Sequence, residues 1–249
     1  MTTVIKLGGS LLDDPSRRSG ALIEIVTRWK AGEQIVVVHG GGKHIDAMLT
    51  KAGIAKRTYA GLRITDDVTL PIVVATLAGL VNKSLVAELN ALGCEAAGIS
   101  GSDGGTLIAE PHPPIDGIEL GHVGRVTTSH ATLLHAMLAS GFLPVVATVA
   151  QGPDATLLNI NADTGAAAIA VSLGAKTLHF ITDVAGLLDA DGQVVPHLVE
   201  SDAEKFLASA VVSGGMRPKL EAALAALRAG VSTIAIGELT EGGTNLVAA

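Results

Sequence analysis

Short runs rich in valine and isoleucine, each closed by a glycine-rich or polar turn, alternate along this chain with longer stretches carrying apolar residues at helical spacing. Strands that are apolar on both faces need cover on both sides, which a mostly parallel sheet flanked by helices supplies. The fold class is therefore α/β. Strands are expected at 4–7, 35–39, 96–99, 143–147, 178–182 and 233–236, and helices at 20–31, 45–52, 67–92, 128–140, 164–173, 202–210 and 218–229. Pro71 falls in the first turns of the third helix if Thr65 or Asp66 caps it, where a missing N–H breaks no hydrogen bond. The stretch PHPPIDGIELGHVG reads as a loop or irregular β-hairpin set between sheet elements.

A chain of 249 residues forms one large domain or two lobes sharing a sheet, and buries roughly three quarters of its unfolded surface. No repeat or low-complexity linker appears, so a lobe boundary, expected near Ala150, is a crease in one sheet. Apolar residues make up 48% but aromatics only 2%, which removes the stacking platforms that bind nucleic acid. The net charge of −7 likewise offers no basic footprint for nucleic acid, though it leaves room for a local cationic pocket. Cys94 has no internal disulfide partner, and a reducing, cytoplasmic setting follows as the expectation. No charged-then-apolar leader is seen, and the apolar run 68–89 is interrupted by Asn82, Lys83 and Glu88, so it reads as soluble helix rather than a membrane span.

In an open parallel sheet, ligands sit beyond the carboxyl ends of the strands. Here IKLGGS ends the first strand, VVVHGGGK the second and GISGSDGG a later one. Adjacent glycines let backbone approach a ligand and turn successive N–H groups toward one point, which suits phosphate or carboxylate oxygens. Tight βα turns explain any one cluster; three of them at strand ends point to a bound anion. No G-x-G-x-x-G follows a strand, and Gly42-Lys43 is followed by His44, so neither a dinucleotide fingerprint nor a P-loop is present.

Lys6 stands at the tip of the first strand beside Gly8 and Gly9, where it either snorkels to solvent or neutralises a phosphoryl group in transit. Lys219 lies near the start of a helix that Ser213 or Gly214 caps and whose first turn includes Pro218. A cation there is locally unfavourable, unless a polyphosphate shares the helix N-terminus; a solvated surface lysine is the alternative. In LLNINADTG, Asn159, Asn161 and Asp163 alternate at strand period and share a face. Asp163 either caps the helix that follows or lies between Lys6 and Lys219 and keeps both oriented. Arg63 in GLRITDD offers a planar fork for a substrate carboxylate, or else a surface ion pair. Asp183, ending a strand in the second half, faces a nucleotide or merely forms a turn. His39 and His44 flank the second glycine turn, where hydrogen bonding to the loop is expected rather than proton transfer.

IKLGGS, VVHGGGK, GLRITD, the GLVNK run, GISGSDGG, ELGHVG, NINAD, ITDVAGLLD and GGMRPK occur in the order seen in the amino-acid kinase family, and through almost its whole length the chain resembles that family. The resemblance implies a three-layer αβα sandwich with a mostly parallel central sheet. Residues 1–150 would form the lobe that binds an acyl-amino acid and makes a homodimer through the 67–92 helix, and 151–249 the lobe that binds MgATP. Carried over, Lys6 and Lys219 stabilise the transferring phosphoryl group and Asp163 organises them. Gly41, Gly42, Arg63 and Asn159 contact the acyl-amino acid. Gly8, Gly9, Asp183, Val184, Ala185, Gly186, Leu187, Leu188, Val211, Val212 and Ser213 face the nucleotide. The branch most resembled phosphorylates the side-chain carboxylate of N-acetyl-L-glutamate in arginine biosynthesis. Alternatives are a kinase for glutamate or 2-aminoadipate on a carrier protein, and a non-catalytic ligand-binding protein on the same scaffold.

A carboxylate acceptor is already a nucleophile at neutral pH, so no general base is required, and the work falls to positioning and charge neutralisation. Mg²⁺ is expected to ride on the ATP phosphates, because no cluster of ligating carboxylates is evident. Two departures from the family stand out. Five residues precede Lys6, where arginine-inhibited members carry an extra helix, so arginine inhibition is not expected. Gly165 stands where alanine is usual, which is expected to loosen the helix start by on the order of 1 kcal/mol.

Overall fold

A computed structural model describes residues 1–182, 185–189, 191–209, 214–239 and 242–248. The strands β1 (Thr2–Leu7), β2 (Gln34–His39), β5 (Ala96–Ser100), β8 (Leu143–Ala147), β11 (Thr177–Ile181) and β13 (Thr233–Ile236) match the expected apolar runs. With β12 (His197–Val199) and β14 (Thr244–Val247) they form an eight-stranded sheet in the order β12-β14-β13-β11-β1-β2-β8-β5. The pairing is parallel except between β13 and β14. β1 thus sits inside the sheet, between β2 from the first half and β11 from the second.

Alternation along β1 decides what each face meets. Val4, with Val36, Val38, Leu178 and Phe180, packs under α7 (Ala162–Ser172) and α9 (Met216–Arg228), whose Ala166, Ala170, Ala222 and Ala223 bring the helices close to the sheet. Ile5 and Leu7, with Ile35 and Val37, face α2 (Pro15–Lys30) and α5 (Asn82–Ala91) on the other side. Helices on both faces complete the three layers. Lys6, two residues after Val4, therefore emerges on the α7 and α9 face.

The long helix runs from α4 (Thr69–Val74) through a π-helical segment, Ala75–Val81, into α5. By length and composition it is apolar enough to cross a membrane, yet it packs Val81, Leu85 and Leu89 into the core. Asp66 caps its start, its Oδ1 accepting from the Thr69 amide at 2.9 Å, and Pro71 lies in the first turn.

Beyond the expected elements, β6 (Ile108–Pro111), β7 (Val123–Thr128), β9 (Val149–Gln151) and β10 (Leu157–Ile160) close into a small barrel. The turn-rich 111–124 stretch is the connection of its β6–β7 hairpin. Because β7 continues to Thr128, the following helix α6 (Thr132–Ala139) starts later than its apolar spacing suggests. A second hairpin joins β3 (Thr58–Tyr59) to β4 (Leu62–Arg63) through Ala60 and Gly61, both with positive φ, as a two-residue turn matched to strand twist requires.

Three local expectations are corrected. Asn161, not Asp163, caps α7, its side chain accepting from the amides of Asp163 (2.8 Å) and Thr164 (3.2 Å). Asp163 is already helical, so it does not continue the strand alternation of Asn159 and Asn161. Gly215 takes the cap position of α9, with Pro218 in the first turn, and Ser213 lies outside the described residues. Gly165 is buried, and a methyl there would lie 3.1 Å from Thr148 Cγ2, so its small size lets α7 lean on the β8–β9 connection.

Candidate active site

The lysine at the end of β1 and the lysine in α9 meet at one carboxylate. Lys6 Nζ lies 2.8 Å from Asp163 Oδ1, and Lys219 Nζ lies 3.2 Å from both Asp163 oxygens. All three residues are buried, at 6–7% exposure. Phe180 sits beside Lys6 in the β1–β11 register, and Lys219 Nζ stands 5.5 Å from its ring centroid, a favourable cation–π distance. Burial by itself would raise the Asp163 carboxyl, but Lys6 and Lys219 outweigh it and hold the pKa below the ordinary 3.8. Within this described triad, two ammonium groups face one carboxylate. Such an arrangement is costly alone and favourable when an anion joins it.

The first glycine turn borders this triad. A methyl at Gly8 would lie 2.9 Å from the Ile181 carbonyl oxygen and 3.4 Å from Lys6 Nζ, so only glycine leaves the space beside the lysine open. Gly9 opens the short helix α1 (Gly9–Asp13). Lys43 and His44, at the start of α3 (Gly42–Lys51), both stand 3.3 Å from Asp13 carboxylate oxygens and so tie the two turns together.

A cavity of about 200 Å³ opens beside the second turn, lined among others by Gly41, Gly42, Leu62, Arg63, Thr148 and Asn159. Arg63 Nη2 donates to Gly42 O at 3.1 Å and to Asp46 Oδ1. Its Nη1 is buried and has no hydrogen-bond partner among the described residues. Asp46 is gripped from the other side by Lys56 at 2.8 Å; burial opposes ionisation there, but Lys56 and Arg63 prevail and keep its pKa low. Asn159 is fixed by Thr65, whose Oγ1 accepts from Asn159 Nδ2 at 3.1 Å, and by its own N–H to His122 O at 2.8 Å.

The structure thus brings Lys6, Asp163 and Lys219 together, and separately gathers Gly41, Gly42, Arg63 and Asn159 around one cavity. The third glycine cluster does not join them. It follows β5, the edge strand, where Gly104 and Gly105 adopt φ of 60° and 63° and Asp103 Oδ2 accepts from the Ser100 amide, so its glycines serve a tight turn. Of the expected nucleotide-facing stretch, Ala185 and Leu188 are exposed, whereas Gly186 and Leu187 face the interior, with Leu187 N donating to Thr244 Oγ1 at 2.8 Å. Asp183, Val184, Val211, Val212 and Ser213 lie outside the described residues. Asp46 and Phe180 are additions that no local motif announces, because each reaches the site from a separate element, and Thr65, inside GLRITD, joins through Asn159 rather than as a helix cap.

The profile of the amino acid kinase family matches residues 1–238. The acetylglutamate kinase of Solibacter usitatus (strain Ellin6076) is 42% identical over 236 residues, covering 95% of this chain and 90% of its own. That of Geobacillus thermodenitrificans (strain NG80-2) is 44% identical over 226 residues, covering 91% and 85%. Among solved structures, smu.665 from Streptococcus mutans UA159 superposes with a TM-score of 0.88 at 30% identity, covering 99% of this chain and 98% of that one. With the family profile spanning nearly its entire length, the chain belongs to the amino acid kinase family.

Proposed function

We propose that the protein transfers the γ-phosphoryl group of ATP to the side-chain carboxylate of N-acetyl-L-glutamate, forming N-acetyl-L-glutamyl 5-phosphate and ADP, the second step of arginine biosynthesis. The observation that carries this reading is the convergence of Lys6 and Lys219 on Asp163, a buried cationic centre, in a chain that also gathers Gly41, Gly42, Arg63 and Asn159 around one cavity of about 200 Å³. Both relatives above that exceed 40% identity carry the name acetylglutamate kinase.

The acceptor carboxylate is ionised at neutral pH and attacks phosphorus directly; the P–O bond to ADP breaks as the acyl phosphate forms, and no proton has to move. Lys6 and Lys219 stabilise charge on the migrating phosphoryl oxygens, while Asp163 keeps both ammonium groups aimed. Arg63 Nη1 supplies the unfilled donor for the substrate's other carboxylate, and Gly41, Gly42 and Asn159 contact the rest of the acyl-amino acid. Gly8 and Gly9, with the 183–188 and 211–213 stretches, take the nucleotide. Mg²⁺ bound with ATP would add neutralising charge on the phosphates. Residues 1–150 form the acceptor lobe and 151–249 the nucleotide lobe, meeting along one continuous sheet. A homodimer through the Thr69–Ala91 helix would cover Leu80, which is 51% exposed, and the enzyme works in the cytoplasm.

A coupled assay of ADP release with N-acetyl-L-glutamate, L-glutamate and L-aspartate tests the reading. Release is expected with the acetylated acceptor and not with the free amino acids, and hydroxylamine should trap the product as a hydroxamate. ATP binding without acceptor-dependent ADP release would overturn it. Arg63→Ala should raise KM for N-acetyl-L-glutamate about tenfold to a hundredfold, the equivalent of one lost charge-assisted contact. Asp46 keeps its Lys56 partner in that variant, so the fold is retained. An effect confined to KM for ATP would remove Arg63 from the acceptor subsite.

A further inference from the structure

His39 ends β2 immediately before the second glycine turn, and both it and Asn82 are fully buried, at 0% exposure. Ring atom Nδ1 lies 2.8 Å from the Gly40 carbonyl oxygen, and Nε2 lies 3.1 Å from Asn82 Nδ2. A carbonyl can only accept, so Nδ1 carries the proton and Nε2 is left as an acceptor for the Asn82 amide. The orientation of that amide is settled by its other neighbours. Val145 O at 2.9 Å takes one of the two Nδ2 hydrogens and the other is shared between His39 Nε2 and Ile99 O at 3.2 Å, while the Lys83 ammonium donates to Oδ1 at 3.0 Å. Burial pushes the His39 pKa down to about 4, against the Gly40 carbonyl and with help from His44 and Lys83, so the ring is neutral near pH 7.

The surroundings are built around this contact. A methyl at Gly98 would lie 2.0 Å from Asn82 Oδ1, so glycine in β5 is what admits the amide. Asn82 directly follows the π-helical segment, whose Leu77 and Val81 press on the glycine turn; a methyl at Gly41 would lie 2.9 Å from Leu77 Cδ2 and 3.2 Å from Val81 Cγ2. A π-helical segment in a long helix commonly marks a functional site.

We propose that His39 and Asn82 are positioning residues for the transfer reaction, acting through the Gly40–Gly42 turn. Asn82 fixes the tautomer and plane of His39, and His39 Nδ1–H anchors the Gly40 carbonyl. Because the 40–41 peptide is trans, its N–H points opposite to that carbonyl, and the anchor holds the Gly41 N–H away from His39 and toward the reacting groups. A donor held this way needs no reorganisation when charge develops. The inference rests on the acetylglutamate kinase reading of the site.

Two isosteric substitutions separate the halves of this device. In His39→Asn the amide nitrogen replaces Nδ1 and can still donate to Gly40 O, but contact with Asn82 is lost. In His39→Gln the side-chain oxygen replaces Nε2 and keeps Asn82, but Gly40 is released. His39→Gln should lower kcat about tenfold or more, as expected for a misaligned donor, while His39→Asn stays within about threefold, with KM for N-acetyl-L-glutamate changing less than kcat in both. Equal kcat values in the two variants, the reverse order, or losses that simply follow Tm would overturn the positioning role. Histidine ¹⁵N NMR of the unmodified protein tests it without any substitution: an Nδ1-protonated neutral His39 is expected near pH 7, and an Nε2-protonated or cationic ring would overturn it. Failure of the unmodified protein to release ADP with N-acetyl-L-glutamate would instead overturn the underlying reading, and the positioning role with it.

Discussion

Lys219→Ala should lower kcat for acetylglutamate-dependent ADP release by about 10²–10³-fold, the range for removing one preorganised group that stabilises transition-state charge. The fold should persist, because Asp163 keeps a cationic partner in the variant. Lys6 and Asp163 remain as a neutral pair at 2.8 Å. What is lost structurally is the lysine stem and its cation–π contact with Phe180, which Lys219→Met restores in volume but not in charge. The two variants should therefore differ in Tm yet share the same kinetic defect, a separation that global damage cannot produce. KM for N-acetyl-L-glutamate should change little, since Arg63 and Asn159, the proposed contacts to that substrate, sit on elements apart from α9. Initial-rate kinetics with both substrates, together with thermal melts, measure this. Wild-type turnover in either variant would remove Lys219 from the mechanism.

How far the site was legible follows from where its information resides. β1, β2 and β8 announce themselves as valine- and isoleucine-rich runs because both faces are buried, and the glycine-rich ends of β1 and β2 stand where such a sheet binds ligands. Lys6 and Lys219 stand out because each is a cation where local structure disfavours one, and that local disadvantage is removed only by convergence in space. The barrel strands were less legible, since β6, β7, β9 and β10 are short and interrupted by proline, glycine and polar residues. Cap assignment at α7 failed for a specific reason: Asn161 and Asp163 are both good caps, and local propensity does not distinguish them. The grip of Asp46 on Arg63, the seat of Lys219 on Phe180, and the fit of Asn82 against Gly98 are pairings between distant segments. No periodicity in one segment encodes the position of the other, so only the assembled sheet and helices reveal them.

Asp163→Asn should be the substitution that damages stability and catalysis together. It leaves two buried ammonium groups facing a neutral amide, and removing one partner from such a buried pair costs on the order of 3–5 kcal/mol. Turnover should also fall by orders of magnitude, because the amide offers the two lysines one neutral acceptor oxygen in place of a charged carboxylate. The diagnostic behaviour is the response to anions. ADP or inorganic phosphate should raise the Tm of Asp163→Asn more than that of the wild type, because the ligand restores the missing negative charge as well as binding the folded state. Acid sensitivity supplies an independent check. The folded-state pKa of Asp163 lies below its ordinary 3.8, since the two lysines outweigh burial. Its contribution to stability is therefore fully present above pH 3.8 and is lost as pH falls from there toward the folded-state value. Asparagine has no proton to take up, so denaturation measured at neutral pH and again below pH 3.8 should show a smaller acid-induced loss in the variant than in the wild type. A variant as stable as the wild type, indifferent to anions and equally acid-sensitive, would mean that Asp163 does not hold the two lysines together, and the cationic centre would need another explanation.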